Sequence, residues 1–540
     1  MMEPYKRPGI DDRPDYEKAL SAEDKASVSR LAADPHRIAP ESSVEQPTAQ
    51  AARLTTEGTA SVVAAARVDA AVPDYASSFL DMRDPMVAAD GERPDAVQLS
   101  HLKWGFAVGS FLTAAPWGAV NLVGLPNQIA RGAGFDRGLA DPAATLRAVG
   151  LAPALSAMII LGAAWSLLFT PLVAALSDRT RVPAGRRTPW LVAGGVLSAL
   201  VALALGAVTA TVLVVILWTA LQFTYAMLVA PLAAAVAERV PDKFRDETER
   251  WNAIGVIAGQ AAGGVVGGLA IGFGAFNPFL CAAVMFAVAG VATVLVWPRE
   301  PSSTEQPHVR FSWRDVFDAA SLRLPRAAAD ATAGAARFRR LLLSRVCMTA
   351  AAAATGVYLW YVVRFAVYGD DPALTAAPMT LPAGVLIALL ALATFAGTLL
   401  ATTSAGAVTD KFAEGFGPWW RGSHAAVVCA CVLYAIGLLA GLAIVTIGGE
   451  RSLVVFSFVS GYAGGLYDVL VQPLVVDALP DPHAAGRYLR TYANARPFGL
   501  ALGAGLGAGA VAVAPASFGY MAVFPAAIAC VLIAAFFLRK

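Results

Sequence analysis

The sequence predicts an all-α membrane protein with about twelve transmembrane helices in two related halves of six, and three observations support this. The chain has 540 residues, of which 57% are hydrophobic and only 15% charged, and its mean hydropathy is +0.59. Soluble domains carry about 25% charged residues, so much of this surface is not expected to face water. Apolar stretches of roughly 20 residues, enough to cross a bilayer, recur along the chain. One fixed spacing also relates the two halves.

The predicted spans divide the chain into four parts. Residues 1–98 are expected to be a cytoplasmic, largely disordered tail with one short helix near residues 16–33, and the charged N-terminus has no apolar core of a secretory signal. Residues 99–298 hold six spans, residues 299–338 a polar cytoplasmic loop, and residues 339–540 six more spans. The spans are predicted at residues 103–125, 151–176, 189–208, 211–236, 252–273, 278–297, 342–367, 381–408, 425–447, 453–478, 493–513 and 518–537.

Basic residues predict the orientation of these spans. They concentrate in alternate loops and in the long central loop, while the opposite loops carry few. By the positive-inside rule, both termini should be cytoplasmic in a multi-pass protein of the cell membrane. The net charge of +2 indicates no particular partner. The basic residues of these alternate loops include Arg179, Arg181, Arg186, Arg187, Arg239, Lys243, Arg245, Arg250, Lys411, Arg421, Arg487 and Arg490.

A shift of 242 residues aligns the fourth and fifth spans with the tenth and eleventh. The shift also places the glycine-rich run at residues 263–268 on residues 505–510, and small residues let membrane helices approach closely. Residues that recur are expected to mark the moving scaffold. The matching pairs are Tyr225 with Tyr467, Pro231 with Pro473, Arg245 with Arg487, and Asn252 with Asn494.

A second repeat lies where the second and eighth spans reach the cytoplasm. Asp178 and Arg179 follow the second span, and Asp410 and Lys411 follow the eighth. Each copy places an acid and a base at a helix end, where the acid can accept hydrogen bonds from a neighbouring helix. Two copies at matching places indicate a structural gate rather than an ordinary solvated boundary.

The segment SDRTRVPAGRRTPW at residues 177–190 resembles the loop signature of the major facilitator superfamily. Its form is similar to that of the glycoside–pentoside–hexuronide:cation symporters and sucrose transporters. The resemblance implies alternating access, with Asp178, Arg179, Arg186 and Arg187 helping to close the cytoplasmic gate in the outward-facing state. The chain departs from that pattern, because Ala174 replaces a glycine and the second span has no acidic residue. A sodium site like that of melibiose-permease-like symporters is therefore not expected.

Two ionisable residues are the main candidates for coupling. Asp468 lies deep in the tenth span and Arg496 early in the eleventh, where they could form an ion pair. Their counterparts in the first half are Ala226 and Ile254, so the pair breaks the symmetry of the scaffold. A carboxylate that loses and regains an arginine can take up and release a proton. The alternative is a structural ion pair, or an arginine that reaches the cytoplasmic interface.

Other polar and aromatic residues within the spans are candidates for a solute cavity. Sugars combine hydroxyl edges with apolar faces, and this set offers both hydrogen-bonding groups and aromatic rings. Helix packing is the alternative for each of them, and for Arg364 the alternative is snorkelling to the headgroups. The candidates are Trp117, Asn121, Gln222, Tyr225, Asn252, Gln260, Tyr358, Tyr361, Arg364, Tyr467, Gln472 and Asn494.

The sequence also excludes several functions. It has no GxxxxGK[ST] phosphate-binding loop and no hydrolytic triad, so neither an ATP-driven pump nor an enzyme is expected. The five cysteines lie in apolar stretches without metal-ligand spacing, and we expect no metal, cofactor, nucleotide or nucleic acid. The sequence predicts a secondary transporter of a small polar solute such as a sugar, coupled to protons. An exporter of drug-like compounds and a non-transporting sensor or assembly factor remain alternatives.

Overall fold

The computed structural model describes residues 86–133, 144–274, 277–304, 310–323, 332–368, 381–415, 422–443, 448–481, 485–515 and 518–538. The predicted tail helix lies outside them. Within the described residues the regular structure is helical, and twelve helices are long and apolar enough to cross a membrane, which confirms the predicted fold class. These are α1 (Ala96–Gly132), α2 (Gly150–Ser177), α3 (Thr188–Ala207), α4 (Thr211–Arg239), α5 (Asp242–Gly272), α6 (Pro278–Val296), α7 (Gly334–Val367), α8 (Leu381–Glu414), α9 (Ser423–Leu442), α10 (Gly449–Asp477), α11 (Ala485–Val513) and α12 (Gly519–Phe537).

Several helices extend past their predicted limits, most clearly at charged ends. Helix α5 begins at Asp242 rather than at residue 252, α11 begins at Ala485 rather than at residue 493, and α8 continues to Glu414. A hydropathy pattern stops where charges begin, whereas a helix continues into water as long as its backbone hydrogen bonds do. A separate short helix, Trp313–Ala320, lies between α6 and α7 and is called the connector helix below.

The helices pack into two groups with the same internal arrangement. In the first group α1 contacts α5 and α6, α4 contacts α2 and α3, and α3 contacts α6. In the second group α7 contacts α11 and α12, α10 contacts α8 and α9, and α9 contacts α12. The groups meet mainly through the pairs α5–α8 and α2–α11. The repeat predicted from sequence therefore appears in the packing, because corresponding helices choose corresponding neighbours.

Glycines bring α5 against α1 and α11 against α7, but in a different register from the predicted one. A Cβ on Gly263 would lie 1.9 Å from the Ala115 oxygen, and one on Gly503 would lie 2.2 Å from the Ala350 oxygen. In α5 the tight glycines are at positions 255, 259 and 263, and in α11 at 499, 503 and 507, a spacing of 244 (499 minus 255). The predicted overlay of residues 263–268 on 505–510 is therefore wrong by two residues, about 200° around a helix.

The two groups touch at one end of the bundle. We call the end that carries Arg187 and the connector helix the basic end, and the other the opposite end. At the opposite end, a Cβ on Gly384 of α8 would lie 2.5 Å from the Gly268 oxygen of α5. Tyr361 of α7 also donates its hydroxyl to the Pro126 oxygen of α1 at 3.1 Å. At the basic end, by contrast, α8 beyond Ala401 is exposed over most of its length.

Candidate functional site

Asp468 pairs with Arg345 across two helices of the second group. The Asp468 carboxylate on α10 accepts a hydrogen bond from the Arg345 guanidinium on α7. Asp468 lies nine residues before the end of α10 (477 minus 468), about 14 Å along the helix axis. The Asp468 side chain is 59% exposed and that of Arg345 is 16% exposed. A carboxyl group therefore stands deep in the helix layer, held by one arginine and open on its other side.

The expected partner of Asp468, Arg496, does not form this ion pair. Within the described residues, the cation within 4.0 Å of Asp468 is that of Arg345. The reason is the helix arrangement, since α10 packs on α8 and α9 while α11 packs on α7 and α2. The side chain of Arg496 is instead exposed on α11. The two predicted coupling residues thus belong to different surroundings.

Tyrosines surround the Asp468–Arg345 pair. Tyr467 and Ser344 share a hydrogen bond of 2.9 Å between their hydroxyls, next to the pair on α10 and α7. The Arg345 guanidinium lies 5.7 Å from the ring centre of Tyr492 on α11, a cation–π distance. The Tyr492 hydroxyl is buried and has no hydrogen-bond partner among the described residues. Three helices therefore contribute to one polar cluster.

The first group contributes an aromatic stack. Trp117 of α1 and Tyr225 of α4 stack almost parallel, with ring centres 4.1 Å apart and planes 5° apart. The Trp117 ring also lies 5.8 Å from that of Trp218, whose indole donates to the Met158 oxygen at 2.9 Å. Trp117 and Tyr225 are both half-buried. The stack is thus fixed on one side by the protein and is not fully covered.

The remaining polar candidates divide between helix packing and partial exposure. Asn121 donates to the Trp117 oxygen at 3.0 Å, and Asn252 accepts from Ser110. Gln222 is buried, Gln260 is exposed and Gln472 is half-buried. Asn121 and Gln222 lie on the two helices of the aromatic stack, four residues after Trp117 and three residues before Tyr225 respectively.

Asn494 lies away from that stack, against the connector helix. Its side-chain amide donates to the backbone oxygens of Ala319 at 2.7 Å and Ser321 at 3.0 Å. Its repeat partner Asn252 bonds within its own group, to Ser110. The two asparagines therefore share a sequence position but hold different neighbours.

Arg364, Tyr358 and Tyr361 lie in the contact region at the opposite end. Arg364 is 4% exposed, and its guanidinium lies 5.1 Å from the Trp360 ring centre. This burial contradicts snorkelling, which requires the charged head to reach water. Tyr358 donates to the Ala504 oxygen at 2.6 Å, and Tyr361 to Pro126 as described above. These tyrosines fix α7 to α11 and α1.

A charged cluster holds the loop between α2 and α3 at the basic end. Arg187 is 1% exposed and bonds Asp178, Ser177 and Glu238, with 3.1 Å between its Nε and a Glu238 oxygen. Arg186 lies 2.7 Å from Glu238. Burial by itself would lower the pKa of Arg187, but the carboxylates of Glu238 and Asp178 raise it above its ordinary value. The predicted residues 178, 186 and 187 are thus brought together within the first group.

Two glutamates of this cluster were not among the predicted site residues. Glu238 is the last residue but one of α4. Glu300 follows α6 and accepts hydrogen bonds from the backbone N–H groups of Arg187 and Thr188 at 2.9 Å. An anion at this helix start satisfies free N–H groups of α3. A Cβ at Gly185, whose φ is +86°, would collide with Glu300. The sequence signal for Glu238 was its position at a helix end beside a base-rich loop.

The other predicted gate residues have separate surroundings. Arg179 bonds the backbone oxygen of Arg310 and lies 5.2 Å from the Phe311 ring centre, before the connector helix. Arg245 donates to the Ala237 oxygen at 3.2 Å and pairs with Asp242 at 2.5 Å, which ties α5 to the end of α4. The side chains of Asp410, Lys411 and Arg487 are exposed. Residue 421, the base after α8, lies outside the described residues.

Within the described residues, twelve helices in two similarly packed groups of six form the arrangement of a two-halved membrane transporter. The Major Facilitator Superfamily profile matches residues 106–448, so the chain belongs to this superfamily and is a non-enzymatic transporter. Solved structures agree with the fold. The nucleoside transporter NupG is 16% identical with a TM-score of 0.55, covering 81% of this chain and 98% of its own.

Two further structures are similar. A mutant form of NupG gives 16% identity and a TM-score of 0.54 over the same shares of both chains. A bacterial homologue of the human lysosomal transporter Spinster, in an inward-facing and unoccupied conformation, is 13% identical with a TM-score of 0.49, covering 82% of this chain and 97% of its own. No curated protein matches the sequence significantly.

Proposed function

We propose that this protein is a secondary active transporter that carries a small polar solute, of the sugar or glycoside class, together with protons. The observation that carries the proposal is the ion pair of Asp468 with Arg345, because it joins two helices deep in the bundle and leaves the carboxylate 59% exposed. Ionisable groups at such depth are expensive and are usually functional. Asp468 keeps the coupling role expected from the sequence, and Arg345 replaces Arg496 as its partner.

Coupling would work through α7. Protonation of Asp468 removes the negative charge that holds Arg345, so the link between α7 and α10 weakens. Helix α7 also carries Tyr358 and Tyr361, whose hydroxyls bond α11 and α1 at the opposite end. One helix therefore connects the Asp468–Arg345 pair with the contacts at the opposite end. A proton on Asp468 would bias the equilibrium between closure at the basic end and closure at the opposite end. Alternating access requires such a bias.

The solute would bind between the two groups. The Trp117–Tyr225 stack offers an aromatic face for the apolar side of a sugar ring. Arg496, an exposed side chain on α11, would supply donors from the other group. Asn121 and Gln222 lie on the helices of the stack and would hydrogen-bond hydroxyl groups. A nucleoside, which NupG transports by its name, also combines a ribose with a flat face and belongs in the same screen.

The basic end would be the cytoplasmic gate. By the positive-inside rule this end faces the cytoplasm, so a bundle joined at the opposite end is open to the inside. The cluster of Arg187, Glu238 and Asp178 would keep the α2–α3 loop and α4 together as one moving unit. The exposed Asp410 and Lys411 would find partners when the basic end closes. The resemblance of residues 177–190 to glycoside:cation symporters supports this interpretation.

Transport in proteoliposomes tests the proposal. The purified protein would be reconstituted into proteoliposomes. The uptake of labelled sugars, glycosides and nucleosides would then be measured with and without an inward proton gradient. We expect saturable uptake of at least one of them, above its equilibrium level only with the gradient. Extrusion of a lipophilic dye without sugar uptake would instead indicate a drug exporter. No flux of any solute or dye would contradict transport and favour a sensor or assembly factor.

A further inference from the structure

An open cavity of about 490 Å³ lies between residues 322–323, just after the connector helix, and the start of α7. Its lining combines two arginines, Arg323 and Arg339, with three leucines, Leu322, Leu342 and Leu343. Both arginine side chains are exposed, and within the described residues no carboxylate lies within 4.0 Å of either guanidinium. Two positive charges beside an apolar surface call for a ligand that is anionic at one end and apolar at the other.

The position of the cavity along α7 fits the boundary of a bilayer. Arg339 precedes the first apolar turn of α7, and Leu342 and Leu343 belong to that turn, one helical pitch of about 5.4 Å further on. Leu343 is 44% exposed although it lies in a spanning helix. The arginine therefore stands at headgroup level and the leucines at the level where acyl chains begin.

The connector helix has the three faces of a helix that lies in a membrane interface. Val316 and Ala319 are buried against the protein, and Asn494 holds the end of the helix through the Ala319 and Ser321 oxygens. Trp313 and Phe317, one turn apart, are 55% and 59% exposed. The third face is polar, with Arg314, Asp315 and Asp318. Exposed aromatic side chains beside a polar face are typical of helices at the headgroup level.

We propose that this cavity is a binding site for an anionic phospholipid. Arg323 and Arg339 would hold the phosphate, and the three leucines would contact the glycerol and the first methylene groups of the acyl chains. The aromatic face of the connector helix would lie in the same headgroup layer. Because Arg179 and Asn494 fix the connector helix to the first and second groups, a bound lipid would contact the segment that joins them. The proposal does not depend on the identity of the solute.

Lipid binding by the purified full-length protein tests the proposal. Phosphatidylglycerol and phosphatidylcholine would be titrated separately and the bound lipid counted by native mass spectrometry. At about 1 kcal/mol for each arginine near a lipid phosphate, the double variant Arg323→Gln with Arg339→Gln should bind phosphatidylglycerol about 30-fold more weakly. The matched control, Arg314→Gln with Arg337→Gln, removes the same charge from the connector helix and α7 outside the cavity. It should bind like the unchanged protein.

Two outcomes would overturn the proposal. The first is equal phosphatidylglycerol affinity in both double variants, with thermal unfolding showing that both are folded. The second is displacement of the lipid by glycerol 3-phosphate at equal concentration, which would assign the site to a free phosphate rather than to a lipid. Phosphatidylcholine binding is expected to be weak and the same in all three proteins.

Discussion

Arg345 on α7 and Asp468 on α10 form an ion pair between two helices that pack mainly on other neighbours. Helix α7 lies against α11 and α12, and α10 lies against α8 and α9. The pair is therefore a specific link rather than a by-product of a long helix contact. The ring of Tyr492 on the Arg345 side completes the cluster. A link of this kind, between two helices that are otherwise only loosely packed on each other, is suited to being made and broken during transport.

The two arginines that could serve Asp468 should have different mutant phenotypes. We expect Arg345→Gln to abolish accumulation driven by a pH gradient, because Asp468 loses the partner whose release couples the proton to α7. Arg496→Gln should instead leave gradient-driven accumulation in place and change at most the KM for the solute, because Arg496 lies outside the Asp468–Arg345 pair. Uptake at several solute concentrations, with and without the gradient, separates these results. The reverse assignment of phenotypes would restore Arg496 as the coupling partner.

The Trp117–Tyr225 stack should determine solute affinity. Trp117→Ala removes the stacking face, and aromatic stacking of this size predicts a KM higher by about 3- to 10-fold. Trp117→Phe should recover most of the affinity, because it keeps a ring at the same place. The control variant is Trp104→Ala, because Trp104 is 49% exposed at the basic end of the same helix. Its KM should stay unchanged. An unchanged KM in Trp117→Ala would place the solute elsewhere.

The contact of α5 with α8 should hold the opposite end closed. A side chain at Gly384 would collide with the backbone of Gly268 and Gly272, whereas one at Gly406 of the same helix meets nothing within 4 Å. We expect Gly384→Val to separate the helices, with a loss of stability of about 1–3 kcal/mol. In a Leu381→Cys background, the labelling of this added cysteine by an impermeant maleimide should rise when Gly384→Val is introduced. Gly406→Val should change neither property, and equal labelling in both variants would argue against this closure.

The cluster at the basic end should stabilise the protein through Glu238 more than through Asp178. Glu238 is 8% exposed and bonds both Arg186 and Arg187, so Glu238→Gln leaves a buried cation and should lower the free energy of unfolding by about 3 kcal/mol. Asp178 is 45% exposed, and Asp178→Asn should lower it by about 1 kcal/mol or less. Thermal unfolding in detergent compares the two. A larger effect at Asp178 would contradict the assigned geometry.

Much of the fold followed from the sequence because a bilayer constrains hydropathy strongly. All twelve predicted spans have an observed helix, and the differences lie at charged helix ends such as Asp242 and Glu414. The pairing of Tyr225 with Tyr467 indicates the repeat at an offset of 242 residues. The close glycine contacts of α5 and α11, however, follow an offset of 244 residues. A sequence offset aligns residue types, whereas a glycine contact depends on which face of a helix meets its neighbour. That face is set by packing and cannot be read from spacing alone.

The partner of Asp468 was missed for a similar reason. The sequence favours Arg496 because it lies early in the next span, and consecutive elements are often neighbours. In this fold α7 supplies the partner instead, from Arg345, 123 residues away along the chain. A signal was present, since Arg345 is a charge inside the predicted seventh span. Glu300 offered no such signal, because its bonds to Arg187 and Thr188 exist only after α3 and α6 have packed together.

The most direct test of the account is whether Asp468 carries the coupled proton. Solute would be added to weakly buffered proteoliposomes that contain an internal pH indicator, and the acidification that accompanies uptake would be recorded. We predict that Asp468→Asn abolishes this proton movement while solute exchange between the two sides continues, and that the control Asp477→Asn on the same helix behaves like the unchanged protein. Solute-driven proton movement of normal size in Asp468→Asn would contradict the account.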